Sequence, residues 1–151
     1  MYNTATETTY RQELKERILI TAIELFHKRG IRCVKMDDIA NELKISKRTL
    51  YEIYSNKEEL LLEVVRRDKQ REKRRMDEIG RTGSNVINII IEICRFRLQK
   101  LQLNPLFFEE IHKYPELLAY VRRVHDERET DAHAFIQRGI DEGFFLPNLN
   151  Y

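Results

Sequence analysis

Four side chains between positions 47 and 51 have the chemistry that contact with double-stranded DNA requires. Lys47 and Arg48 are cationic, whereas Thr49 and Tyr51 carry hydroxyl groups. An arginine can bond guanine through two hydrogen bonds, a threonine methyl can contact thymine, and hydroxyls can bond phosphate. Because Ser46 precedes them and serine is a favoured helix cap, we expect these side chains in the first turns of a helix.

Two short helices with a tight turn between them are predicted to position these side chains. The first helix has one apolar face, at spacings of three and four residues, formed by Met36, Ile39, Ala40 and Leu43. Lys44 and Ile45 break this pattern. The second helix has an inward side formed by Leu50, Ile53 and Tyr54 and an outward side that carries the basic and hydroxyl groups. The sequence therefore predicts a helix-turn-helix whose second helix enters the major groove.

This segment resembles the DNA-binding motif of the TetR family of transcriptional regulators. The matching positions are Ile39-Ala40, Ile45-Ser46, Thr49-Leu50-Tyr51, Tyr54, Lys57, Glu58, Glu59 and Leu60. Two positions depart from the family pattern. Lys44 stands where glycine is usual, so a non-glycine residue is expected in a left-handed conformation. Lys35 stands where serine or threonine often caps the first helix, a loss that Asp37 and Asp38 partly offset.

The candidate DNA contacts are Lys47, Arg48, Thr49, Tyr51, Lys57 and Lys35. Arg48 is a candidate for guanine, Tyr51 for phosphate and Thr49 for thymine or phosphate. The resemblance implies that Lys57 corresponds to a phosphate-clamping lysine of the family. Each of these residues could instead be an ordinary solvated surface residue, and the complete motif favours the functional interpretation.

Composition favours an all-α protein. The 151 residues are 42% hydrophobic and include only 5 glycines and 3 prolines. Residues 1–57 carry 11 basic and 8 acidic residues, and residues 76–151 carry 9 and 12, so an anionic partner is expected for the first part. We predict a three-helix DNA-binding head in residues 1–56 and a helical-bundle body for ligand binding and dimerisation in residues 57–151.

Helical periodicity extends through most of the chain. The first helix is expected after a disordered lead-in of residues 1–9, with Thr8 or Thr9 as its cap, and it ends at Gly30. Further helices are predicted from Lys57, over residues 86–103 as the most buried helix, after Pro105, and from 115 to about 142. Compared with the TetR family, the body is expected to be incomplete, because residues 144–146 form an uncovered apolar cluster near the last residue.

The body is also expected to hold a small-molecule pocket. Its candidate lining residues, which are mainly large aromatic side chains with a few polar ones, are Glu92, Phe96, Phe107, Phe108, His112, Tyr120, Arg128 and Phe135. Aromatic residues at helical spacing are more often plain core, and the sequence does not separate these two interpretations.

Catalytic and metal sites are not predicted. His112, His125 and His133 fit no ligand spacing, no phosphate loop or nucleophile elbow occurs, and no cofactor is expected. Cys33 and Cys94 are expected to be free, buried thiols. Without an apolar leader or a charge-free apolar span, a cytoplasmic protein is expected.

The predicted function is a DNA-binding transcriptional regulator, a ligand-responsive repressor that binds a palindromic operator as a homodimer. Its predicted partners are double-stranded DNA and a small-molecule effector. One alternative is a DNA-binding adaptor whose body binds a protein. A second is an enzyme built on the helical body, for which a carboxylate such as Glu92 would be essential.

Overall fold

The computed structural model describes residues 4–101, 105–126 and 129–148, and within these ranges the chain is helical, with no strand. The helices are α1 (Thr4–Arg29), α2 (Met36–Leu43), α3 (Lys47–Ile53), α4 (Lys57–Gly80), α5 (Val86–Leu101), α6 (Pro105–Ile111), α7 (Pro115–Asp126) and α8 (Glu129–Asp141). The predicted all-α class and the helix-turn-helix are confirmed. No helix in these ranges is long and apolar enough to cross a membrane.

Helices α1, α2 and α3, which we call the head, pack around one apolar core with the first turns of α4, and the same core includes Phe107, Ile111 and Leu117 of α6 and α7. Its largest fully buried side chains include Phe26, Ile39, Leu50 and Leu61, one from each of α1 to α4. Helix α4 begins inside this core and continues without interruption to Gly80, beyond the head.

The first helix begins earlier than the sequence suggested. A lead-in was expected through residue 9 with Thr8 or Thr9 as the cap, but α1 already includes Thr4. Ala5 and Glu7 favour helix, and no glycine or proline interrupts residues 4–9, so nothing local stops the helix from extending. At its other end α1 stops at Gly30, as predicted, where φ is +80°.

Each helix of the motif begins at an identifiable cap. The Ser46 hydroxyl accepts a hydrogen bond from the Thr49 amide at 3.0 Å, and the Asn56 side chain accepts one from the Glu59 amide at 2.8 Å. At α2 the cap is supplied from inside the helix, because the Asp38 carboxylate accepts from the Lys35 amide at 2.7 Å. These bonds satisfy amides that the helices themselves leave unpaired.

The turn between α2 and α3 is strained at the position where the sequence departs from the family pattern. Lys44 adopts φ 54° and ψ 40°, the left-handed conformation that was predicted, and the Ile45 amide closes the turn on the Ala40 carbonyl at 3.0 Å. This conformation costs an L-residue roughly 1–2 kcal/mol because Cβ approaches the following carbonyl.

We expect Lys44→Gly to raise the free energy of unfolding by about 1 kcal/mol, because glycine adopts the left-handed conformation without the Cβ penalty. Urea unfolding followed by circular dichroism measures the change. Lys44→Ala is the matched control, since it removes the same charge and keeps Cβ; an equal gain in both variants would attribute the effect to charge and not to strain.

Tyr54, the residue that follows α3, is buried at 2% exposure in the head core. Its hydroxyl has no hydrogen-bond partner among the described residues, and burial raises the pKa of this phenol well above its usual value. A buried hydroxyl without a partner costs free energy that a phenyl ring would not.

Tyr54→Phe is therefore expected to raise the free energy of unfolding by about 1 kcal/mol. The measurement is the same urea titration, with Tyr51→Phe as a control, because Tyr51 is 46% exposed whereas Tyr54 is buried. A clear loss of stability in Tyr54→Phe would mean that the hydroxyl is satisfied in solution.

The body packs differently from the expected arrangement at α5. Val86 and Ile89 are buried, but Ile87, Ile91 and Leu98 are exposed, so the prediction that residues 86–103 form the most buried helix is wrong over the described part. Helix α5 contacts α4 and α8, and its two buried residues, Val86 and Ile89, both lie in its first turn. The thiols of Cys33 and Cys94 are free, as predicted, but they are exposed and not buried.

Helix α8 packs against the segment that follows it. Gly143, two residues after the end of α8, adopts φ +78°. The Phe145 ring then lies over Gly139 of α8, where an added Cβ would be only 2.1 Å from the ring. Phe144 and Leu146 stay exposed, as expected for the apolar cluster. The single helix predicted over 115–142 is described as α7 and α8, and residues 127–128 between them lie outside the described residues.

Candidate nucleic-acid interface

Helix α3 turns one side toward the core and presents the other to solvent. Leu50 is completely buried, and it fixes the orientation of the helix on α2 and α4. Lys47 and Arg48 are exposed in the first turn, and Tyr51 is 46% exposed one turn later. The outward side therefore carries two cations and a phenol on a short, capped helix, which is the shape and chemistry that a major groove accepts.

Both cations of this face are paired with carboxylates of the same motif. The Lys47 ammonium forms an ion pair with Asp37 of α2, and the hydrogen bond to that carboxylate raises the lysine's pKa. The Arg48 Nε donates to the Glu52 Oε1 at 3.0 Å, four residues along the same helix. These side chains are largely solvent-exposed, so a DNA phosphate or base edge can compete for them.

Thr49 is the outward residue of α3 whose polar groups are least accessible to DNA. Its Oγ1 lies 2.7 Å from the Ser46 Oγ, and its amide donates to the same serine, so its hydroxyl belongs to the cap of α3. The side chain is half-buried, and its methyl group is the part left for a thymine contact.

Lys57 points into the head and not away from it. Its ammonium donates to the Ile31 carbonyl and lies 5.8 Å from the centre of the Phe26 ring. Burial lowers the pKa of this lysine, and the Glu110 carboxylate opposes that shift. A phosphate contact from this side chain would require it to leave the Ile31 carbonyl. Lys35 is exposed just before α2, and its own side chain forms no cap bond.

Three further residues shape the face through contacts that the sequence analysis did not predict. Asp37 and Glu52 hold the two cations, and Arg11 of α1 donates from Nη2 to the Glu52 carbonyl at 3.1 Å. The spacing of four between Arg48 and Glu52 was a visible signal for one of these contacts. The other two join residues on different helices, so only the packed head reveals them.

The candidate pocket residues do not form one site. Phe107, Phe108 and His112 line a cavity of about 120 Å³ between α4, α6 and α7, whose other walls are Val65, Asp68, Lys69, Ile111, Leu118 and Val121. Phe96 lies in a separate groove of about 600 Å³ between α1, α4 and α5. The cavity is therefore the place where three of the eight candidates meet.

The remaining candidates lie elsewhere. The Tyr120 ring lies between the guanidinium groups of Arg66 and Arg123, at 5.8 and 5.4 Å. The Glu92 carboxylate accepts from Arg95 at 2.8 Å on the surface of α5. Phe135 packs on Phe145 with ring centres 6.5 Å apart, and Arg128 lies outside the described residues.

The small cavity is connected to the head by direct contacts. Asp68, one of its walls, forms a 2.9 Å bond with the His27 ring of α1, and that ring packs on Phe107 at 4.5 Å. Beside them the Glu110 carboxylate accepts from the Arg32 amide at 2.8 Å. Adjoining side chains therefore connect the cavity to α1 and to the turn before α2.

Comparison with known proteins agrees with this geometry. The sequence pattern of the bacterial regulatory proteins of the tetR family matches residues 18–64, which include α2, α3 and the first turns of α4. Over 57 residues the chain is 42% identical to the HTH-type transcriptional activator FasR of Mycolicibacterium smegmatis. That stretch is 38% of this chain and spans only about a quarter, 26%, of the length of FasR.

Solved structures match most of the chain. A transcriptional regulator from Saccharomonospora viridis, solved in complex with choline, is 27% identical with a TM-score of 0.70, over 91% of this chain and 75% of that one. A TetR/AcrR-family regulator from Thermobifida fusca is 24% identical with a TM-score of 0.68, over 89% and 74%. The fatty acid degradation regulator FadR from Bacillus halodurans is 15% identical with a TM-score of 0.70, over 90% and 72%. The last two show the shared fold alone.

Proposed function

We propose that the chain is a member of the tetR family of bacterial regulatory proteins, whose sequence pattern matches residues 18–64, and that it is a ligand-responsive repressor which binds a palindromic operator as a homodimer. The observation that supports this proposal most strongly is the outward side of α3. It is capped, exposed and anchored by a buried leucine, and its exposed side chains carry cationic and hydroxyl groups.

In the proposed complex α3 lies in the major groove and Arg48 addresses a guanine. Lys47 and Tyr51 contact backbone phosphates, and Thr49 offers its methyl to a thymine. Lys35 and Lys57 add phosphate contacts at the edges of the head. A homodimer would place two such helices about one helical turn of DNA apart, which is why the operator should be a palindrome.

The effector site that we propose is the cavity between α4, α6 and α7. Its Phe107, Phe108 and His112 supply aromatic and polar surfaces, and its Asp68 contacts His27 of the head. A ligand that binds this cavity more tightly in one arrangement of α4 and α6 than in another would change the separation of the two heads, and DNA would be released.

Selection of bound sequences from a random DNA pool tests the proposal. We expect the purified chain to enrich a palindrome whose half-sites lie one helical turn apart. Enrichment of a single half-site would contradict the homodimer and leave DNA recognition intact, whereas no enrichment at low salt would contradict the regulator itself.

A second candidate is an adaptor that binds DNA through the head and a protein through the body. The exposed side chains of Ile87, Ile91 and Leu98 on α5 favour it, because such surface is often covered by a partner. Thermal stabilisation by small molecules separates the two candidates. Choline, the ligand of the S. viridis relative, is a first probe. Stabilisation that is lost in His112→Ala supports the effector cavity, and stabilisation that this variant keeps contradicts that location.

A further inference from the structure

The bond between Arg48 and Glu52 uses one particular part of the guanidinium group. Glu52 accepts from Nε, and this is the only one of the five N–H groups of Arg48 that bonds to a residue the structure describes. The four N–H groups on the two terminal nitrogens remain, and these are the ones that meet the O6 and N7 of a guanine in an end-on contact. The Glu52 carboxylate therefore bonds the Nε side of the guanidinium and leaves Nη1 and Nη2 accessible to a base.

The backbone of Glu52 is bonded to α1. Arg11 of α1 donates to the Glu52 backbone carbonyl, which fixes the last turn of α3 to the longest helix of the head. The side chains of Arg48 and Glu52 are 89% and 60% exposed, so both stand at the surface that a groove would cover. Arg48 thus contacts the carboxylate of Glu52, and the backbone of Glu52 contacts Arg11 of α1.

We propose that Glu52 is a positioning residue that sets base specificity by restricting Arg48 to the orientation that reads one guanine. This inference rests on the proposed DNA-binding function. A free arginine side chain would lose rotational freedom when it contacts a base, and a side chain already held at Nε loses less. In addition, the carboxylate repels phosphates, so it disfavours the complexes in which Arg48 turns aside to bind the DNA backbone.

The test compares Glu52→Ala with Glu52→Gln on the operator selected by the wild-type protein and on operators altered at each half-site position. Glu52→Ala removes both the acceptor and the charge. We expect the preference for guanine at the Arg48-dependent position to fall roughly two- to tenfold, while affinity for unrelated DNA rises. Glu52→Gln keeps an acceptor for Nε and is expected to restore the preference, although its affinity for unrelated DNA also rises.

Asp37→Asn is the matched control. It removes one negative charge from the same face but from the partner of Lys47, a residue that we assign to phosphate. We expect it to strengthen binding to all sequences by a similar factor and to leave the base preference as in the wild type. A change of preference in this variant would show that charge alone alters specificity, and the positioning role would be overturned.

The outcomes separate this inference from the function on which it rests. If the wild-type protein enriches no DNA, the regulator proposal fails first. If it enriches an operator and Glu52→Ala keeps the same preference at every position, the positioning role is wrong and the regulator proposal stands. The double variant Arg48→Ala/Glu52→Ala should show the same base preferences as Arg48→Ala alone, although it binds all DNA more tightly; a further loss of preference at a different base pair would show that Glu52 reads a base itself.

Discussion

Replacing Arg48 with alanine is expected to weaken binding to the selected operator by about 1–3 kcal/mol per guanidinium contact, or roughly 5- to 150-fold. The guanidinium is the one group on the outward side of α3 that can form two parallel hydrogen bonds with a base edge. Its loss should therefore relax the preference at one position of each half-site and leave the other positions unchanged. Fluorescence anisotropy with a panel of single-base variants measures both effects.

Two variants make this result specific. Arg48→Lys keeps the charge but cannot form the paired hydrogen bonds, so it should also lose the preference while it keeps more of the affinity. Lys57→Ala, at a proposed phosphate contact, should weaken binding to all sequences alike and reduce the salt dependence. Unchanged operator binding in both Arg48→Ala and Lys57→Ala would contradict the assignment of α3 as the reading helix.

The outward side of α3 could be predicted because its information is local. The cap at Ser46, the buried Leu50 and the spacing of Lys47, Arg48 and Tyr51 are all contained in one short segment, and a helix converts spacing directly into orientation. The left-handed conformation of Lys44 was predicted from the resemblance, because glycine is usual at this position in the TetR family.

What escaped prediction depends on which helices become neighbours. Asp37 reaches Lys47 only because α2 and α3 are packed against each other, and Lys57 turns inward only because the Ile31 carbonyl and the Phe26 ring come from α1 and its loop. Periodicity states that a face is apolar, but it does not state which helix covers it. This is why α5 was expected to be buried although Ile91 and Leu98 are exposed.

The candidate pocket residues do not line one common cavity, for a related reason. Phe107, Phe108 and His112 share one short helix and its end, so their proximity is local and they line one cavity. Phe96 and Phe135 belong to α5 and α8, and each faces a different neighbour. Residue type alone selected aromatic side chains, whereas the geometry of the bundle decides which of them can touch one ligand.

Phe107 is one of the largest fully buried side chains, and its truncation should cost much stability. It is 1% exposed on α6, its ring contacts the His27 ring of α1, and it meets the Phe108 ring edge-to-face at 5.5 Å. Phe107→Ala is expected to lower the free energy of unfolding by about 3–5 kcal/mol, through lost burial and the cavity that remains. That loss is a large part of the roughly 5–15 kcal/mol typical of a folded domain.

Phe108→Ala on the same helix is the matched control, because it removes the same ring from a half-buried position that also lines the cavity. We expect a clearly smaller loss of stability in urea unfolding, since less surface returns to water and the space left behind opens toward solvent. If the two variants lost equal stability, the contact between Phe107 and His27 would not be the joint between α6 and the head. The coupling that we propose from the cavity through Asp68 and His27 to the DNA-binding helices would then lack its central contact.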